Sequence, residues 1–134
     1  MHKQIYVNLP VSDLERSKRF FAALGYRFDP NFTNESAAGM QLGENLYCML
    51  LVQPFFAGFT PKPIADAHAS TEVLIALPCE SRAAVDELVA KAREAGASIP
   101  REPVDHGFMY QHGYEDPDGH IWEVFWMDAA AAQA

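Results

Sequence analysis

One order of elements runs through this chain twice: an alternating strand, a capped helix closed by glycine, then three further strands. A duplicated β-α-β-β-β unit constrains the fold more than any single motif does.

In the first copy Ile5 to Val11 alternates, with Val7, Leu9 and Val11 on one face and Tyr6, Asn8 and Pro10 on the other. Ser12 or Asp13 caps the helix that follows. Its apolar stripe is Leu14, Phe20, Phe21 and Leu24, and Gly25 ends it. Tyr26 to Phe32, Ala37 to Leu42 and Leu46 to Val52 read as strands. Asp29-Pro30-Asn31 interrupts the first of these, and Gly43-Glu44-Asn45 turns before the last.

The second copy opens at Glu72 to Leu77, where Glu72, Leu74 and Ala76 oppose Val73, Ile75 and Leu77. Ser81 caps a helix carrying Val85, Leu88, Val89 and Ala92, and Gly96 closes it. Strands are expected near Ala97 to Val104, Phe108 to Glu115 and His120 to Met127. The expected organisation is one domain over 1–134: module one at about 1–53, a linker at about 54–70, module two at about 71–128 and a frayed tail at 129–134. The linker holds Pro54, Pro61 and Pro63 with Phe55, Phe56 and Phe59. Those rings are expected to pack against a partner subunit or over the mouth of a pocket.

Composition removes several function classes. A net charge of -8 lacks the clustered Lys and Arg that phosphate neutralisation needs, so neither nucleic acid nor an anionic membrane surface is an expected partner. No apolar run is long enough to span a bilayer, and Met1-His2-Lys3-Gln4 runs directly into a strand, so a cytoplasmic protein is expected. Cys48 and Cys79 match no zinc spacing and read as buried free thiols. No nucleophile stands beside an evident base, and no glycine-rich phosphate cradle occurs.

The chemistry-bearing residue is Glu123, a lone carboxylate in the apolar strand Ile121-Trp122-Glu123-Val124-Phe125-Trp126. Such a group is costly unless a metal, a proton or a hydrogen bond compensates it. Trp122 and Trp126 share the opposite face. His112 alternates with Phe108 and Tyr110 and is the best histidine candidate for contact with a ligand.

Val7-Asn8-Leu9-Pro10-Val11-Ser12-Asp13-Leu14 through Phe20-Phe21, followed by Leu24-Gly25-Tyr26, resembles the opening of the vicinal oxygen chelate superfamily. That superfamily includes glyoxalase I, fosfomycin-resistance thiol transferases, extradiol dioxygenases and bleomycin-binding proteins. Glu115-Asp116-Pro117-Asp118-Gly119-His120 to Glu123 resembles its closing segment, so the likeness runs over residues 4 to 127. It implies an α+β fold, with two βαβββ modules forming a cup-shaped, barrel-like open mixed sheet and helices outside. It also implies a small molecule in the cup and a homodimer. Family enzymes place a divalent metal (Mg, Mn, Zn or Ni) on the first and last strands of each module. Carried onto this chain, that set reads Tyr6, Met49, Glu72 and Glu123.

The set is poor in ligands. Met is soft and weak for such metals, and neutral Tyr seldom binds them. Glu72 and Glu123 are the candidate metal ligands, with Glu123 also the candidate catalytic group. Tyr6, Asn8, Met49, Leu51, Leu74, Tyr110, His112 and Phe125 are the candidate ligand-binding residues. The expected function is binding of a small, partly apolar molecule, possible without metal. The alternative is a divalent-metal lyase or dioxygenase acting on vicinal oxygens.

Overall fold

A computed structural model describes residues 1–132. The chain divides into two compact units, Met1–Asp66 and Ala67–Ala134. Each is α+β, and each carries its own four-stranded mixed sheet.

In the first unit β1 (Ile5–Val11) leads into α1 (Leu14–Ala23), and the sheet is completed by β2 (Arg27–Asp29), β3 (Ala37–Gly43) and β4 (Leu46–Val52). The spatial order is β1-β4-β3-β2, with β1 and β4 parallel. Asp13 starts α1: its carboxylate accepts the Arg16 N–H at 3.0 Å. Leu14, Phe20, Phe21 and Leu24 are all buried, as the stripe requires. Leu9, Val11, Cys48 and Leu50, alternate residues of β1 and β4, are buried as well, and α1 packs on β4 and β3. Each large apolar side chain buried there contributes roughly 1.5–3 kcal/mol. Strand β2 is shorter than expected. Pro30 lacks the N–H a ladder needs, and Pro30–Phe32 forms a 3-10 turn that Asp29 caps by accepting the Asn31 N–H at 2.9 Å.

The linker begins with a short helix, α2 (Gln53–Ala57). Phe55 and Phe59 pack edge to face at 5.2 Å and stay exposed, while Phe56 is half-buried.

In the second unit β5 (Leu74–Pro78) precedes α3 (Arg82–Glu94), then β6 (Val104–Asp105), β7 (Met109–Glu115) and β8 (Ile121–Met127). The order β5-β8-β7-β6 repeats that of the first unit. Ser81 caps α3 by accepting the Ala84 N–H at 3.0 Å. Val85, Val89 and Ala92 are buried, with Tyr114, Trp122 and Val124 supplying the sheet side of the core. Leu88, expected on the stripe, is only half-buried.

Two departures bear on the site. Strand β5 starts at Leu74, leaving Glu72 in an exposed bend ahead of it. The expected strand over 97–104 is mostly absent. Ser98 bridges Glu115 and Val104 pairs with Gln111, but Pro100 and Pro103 offer no N–H between them. The segment therefore swings away from β7 and rejoins it.

The tail forms a short helix, α4 (Ala129–Ala132), rather than fraying from 129, and its last two positions lie outside the described residues. Neither cysteine forms a disulfide among the described residues; Cys48 is buried, whereas Cys79 is half-buried, with burial raising its thiol pKa. No helix among the described residues is long and apolar enough to cross a membrane.

Candidate functional site

The Asp116–His120 turn positions the strand that carries Glu123. Asp116 is buried, and its carboxylate accepts the backbone N–H groups of Asp118 at 2.9 Å and His120 at 3.0 Å. It also accepts the Trp122 indole N–H at 3.0 Å. Burial pushes the Asp116 carboxyl above the usual carboxylate range, against the pull of His120 and these donors. Gly119 has φ +91°, and a Cβ there would meet the Ala67 and His68 backbone at 2.7 Å. The motif thus closes the turn and pins Trp122 under the sheet. Alternation then sends Glu123 to the other face.

Pairing fixes which residues join it. Glu123 lies opposite Gly113 on β7 and Ala76 on β5; Ile121 lies opposite Glu115 and Leu74. Around them is a pocket of about 150 Å³. Its floor is Gln111, Gly113, Ile121 and Glu123, with Leu74 at one side. Its wall is the segment that leaves β7, represented by Pro100, Arg101, Glu102 and Val104. His112 Nε2 lies 3.0 Å from the Arg101 carbonyl, which can only accept, so this nitrogen carries the proton and ties wall to sheet. The glycine is a requirement of the floor. A Cβ on Gly113 would stand 2.9 Å from the Trp122 carbonyl oxygen.

Glu123 is half-buried. Among the described residues its carboxylate has no hydrogen bond or ion pair, and neither do the Gln111 amide and the Arg101 guanidinium. The compensation that a carboxylate in an apolar strand calls for is thus not supplied by a neighbouring side chain.

The candidate residues separate as follows. Leu74, His112 and Glu123 border the pocket. Phe125 shares the Glu123 face by alternation but is outside the lining. Tyr110 does not join them: it lies opposite Trp126, and its hydroxyl donates to Asp86 of α3 at 2.6 Å. That bond, chiefly, pushes the Tyr110 pKa up to about 12. Arg82 of α3 holds the same face, donating to Gly107 O at 2.6 Å and lying 4.5 Å over the Trp126 ring. The parity that grouped His112 with Tyr110 correctly joined them to one face of β7, but that face is the helix side. His112 borders the pocket because its ring reaches the Arg101 carbonyl of the wall.

Glu72 is not the register counterpart of Tyr6. Tyr6 stands seven residues before the cap Asp13, and seven before the cap Ser81 is Leu74. Met49 and Glu123 do correspond, being opposite Gly39 and Gly113 respectively. In the first unit Tyr6, Asn8, Met49 and Leu51 share the face away from α1, as expected. There Tyr6 stacks on Tyr47 with centroids 4.9 Å apart, and Phe32 approaches its edge at 6.5 Å. Tyr47, Phe32, Gln111, Gly113 and Arg101 were not singled out by sequence. Gly39 and Gly113 were detectable there, each lying ten residues before its strand partner.

The donor chemistry does not suit the metal that the resemblance implies. With Leu74 in place of Glu72, the register set is Tyr6, Met49, Leu74 and Glu123, a single carboxylate with no imidazole. Among the described residues no group of three or more His, Cys, Asp or Glu side chains could hold a metal ion.

Comparison with known proteins agrees with this architecture. Residues 3–43 match the family described as bleomycin resistance protein-like N-terminal. No curated protein matches the chain. Among solved structures, a hypothetical protein from S. aureus is 29% identical with a TM-score of 0.80, over 94% of this chain and 95% of that one. A glyoxalase/bleomycin resistance protein/dioxygenase family enzyme from Burkholderia phytofirmans is 19% identical with a TM-score of 0.76, over 91% and 96%. The fosfomycin resistance protein FosX from Mesorhizobium loti is 15% identical with a TM-score of 0.72, over 100% and 99%. The chain carries the glyoxalase/bleomycin resistance/dioxygenase fold, and its resemblance to the vicinal oxygen chelate superfamily is borne out by that fold and by the matched N-terminal segment.

Proposed function

We propose that this chain binds a small, partly apolar molecule at the Glu123 pocket, without a metal, and acts by sequestering it. The observation that carries this reading is the half-buried Glu123 carboxylate, which has no partner among the described residues. A ligand that donates to that carboxylate gains a charge-assisted hydrogen bond and covers the apolar Leu74 and Ile121 beside it. The matched family is named for bleomycin resistance and one fold neighbour for fosfomycin resistance, which is consistent with a protein that takes up a foreign compound.

The pocket is smaller than the roughly 300–1,000 Å³ that encloses a drug-sized ligand, so it takes a terminal group of one. The test is a two-arm titration by calorimetry. Mn, Ni and Zn ions are added in one arm, and a matched pair of benzylamine and benzyl alcohol in the other. The reading expects no stoichiometric metal uptake and preferential binding of the amine, lost in Glu123→Gln. Stoichiometric metal binding that depends on Glu123 overturns it in favour of metal-assisted chemistry.

A further inference from the structure

We infer that the second unit's pocket is charged at two ends and takes a compact zwitterion, with the ligand's ammonium on Glu123 and its carboxylate on Arg101. This rests on the small-molecule reading above and adds a residue and a ligand class to it. Glu123 rises from the floor on β8, while Arg101 stands on the wall. Both line the same small pocket, yet no ion pair joins Arg101 to Glu123 or to the neighbouring Glu102. Opposite charges around a space of about 150 Å³ that do not neutralise each other leave both ends open to a ligand.

The wall is tied to the sheet. It is anchored where Ser98 and Glu115 exchange two backbone hydrogen bonds, at 3.1 and 2.8 Å, and again where Val104 pairs with Gln111. Between these anchors the His112 ring holds the Arg101 carbonyl. The Arg101 backbone is therefore placed by three attachments to β7, although its side chain is exposed. A guanidinium presents a planar fork that suits a carboxylate, and a half-buried carboxylate suits an ammonium. Leu74 and Ile121 line the same pocket and suit a short methylene chain. The Gln111 amide on the floor offers one further donor or acceptor.

The experiment uses the full chain and a series of linear ω-amino acids of increasing length, with pentylamine and pentanoate as one-ended controls. Affinities are measured by calorimetry for the parent protein, Arg101→Gln and Glu123→Gln. Neither side chain has a partner among the described residues, so both variants should fold, and the melting of Trp122 and Trp126 fluorescence checks this. The best ω-amino acid should bind about tenfold more tightly than either control, the gain expected of one additional charge-assisted hydrogen bond. Arg101→Gln should remove that gain and leave pentylamine binding unchanged. Glu123→Gln should weaken pentylamine and the zwitterion, and leave pentanoate unchanged. Pentylamine binding as tightly as the best zwitterion overturns the inference while leaving Glu123-dependent binding intact. Binding of no member of the series at millimolar concentration overturns it too, and the benzylamine and metal arms then decide the broader reading separately.

Discussion

Gly39 and Gly113 hold the same place in the two units, on the strand that pairs with the last one, opposite Met49 and Glu123 respectively. Over Gly39 the space is taken. A Cβ would stand 2.8 Å from Phe32 Cβ and 3.4 Å from the Met49 sulfur. Beside Gly113 the surface opens into the pocket, and the only tight contact is the Trp122 carbonyl. The first unit covers its free sheet face with the Tyr6, Tyr47 and Phe32 rings; the second leaves a carboxylate uncovered. One backbone register therefore supports two surfaces. What separates them is the connection before the glycine strand, since Pro30–Phe32 lays a ring across one face while residues 99–103 swing outward as a wall.

The sharpest way to break this contrast is to remove the support of the second unit. Asp116→Ala strands two backbone N–H groups and the buried Trp122 indole, and should cost about 3 kcal/mol or more. The chain's two tryptophans, Trp122 and Trp126, are both in this unit, so their fluorescence melt reads the loss there directly. An unchanged melt would mean that the turn, not its carboxylate, carries the strand.

A smaller effect is expected from filling the two glycines. Gly113→Ala should cost about 2 kcal/mol, because the atom it meets is a backbone oxygen fixed in the ladder. Gly39→Ala should cost at least as much, because it meets Phe32 Cβ at 2.8 Å and the Phe32 carbonyl oxygen at 3.3 Å, both fixed to the backbone. Denaturant unfolding measures both. A clearly smaller cost at Gly39 would show that the aromatic cover of the first unit can give way.

Glu123→Gln should change stability by no more than about 0.5 kcal/mol, since the carboxylate holds nothing in the protein. A large drop in melting temperature would make Glu123 a structural group and remove the basis for ligand binding there.

The smallest effect concerns the helix side of the same sheet. The Tyr110 pKa is raised from 10.0 to about 12 by its hydrogen bond to Asp86. A raised pKa means that this contribution to stability is complete below pH 10 and is lost as pH rises through about 12. Ultraviolet titration should show tyrosine ionisation reaching about pH 12, and Asp86→Asn should bring the Tyr110 share of it back toward 10.0. A titration that Asp86→Asn leaves unchanged would place Tyr110 away from α3.

The reading of Tyr110 as a ligand contact shows where pattern stops being informative. Alternation grouped Phe108, Tyr110 and His112, but period two says only that residues share a face and not which face it is. That is settled by pairing: Gly113 lies opposite Glu123 and Tyr114 opposite Trp122, so the odd-numbered residues of β7 share the pocket side. The error at Glu72 has a similar origin. Its parity matches Leu74, but the strand begins two residues later, and counting back from the Ser81 cap gives the correct position.

By itself, the sequence determined the duplicated βαβββ order, the Ser81 cap and a choice of Ser12 or Asp13 for the first, most of the two buried stripes, and the placing of Glu123 on the face of β8 opposite Trp122 and Trp126. These are local properties: periodicity, capping chemistry and left-handed glycines act over a few residues, and burial of one face enforces them. Only the tertiary structure decided that Arg101 and Gln111 line one pocket with Glu123, that Tyr110 turns to α3, and that rings lie over one unit's sheet face while the other's holds a pocket. Those outcomes depend on strand register and on the path of proline-containing connections. Both are set by long-range pairing, which composition and spacing do not encode.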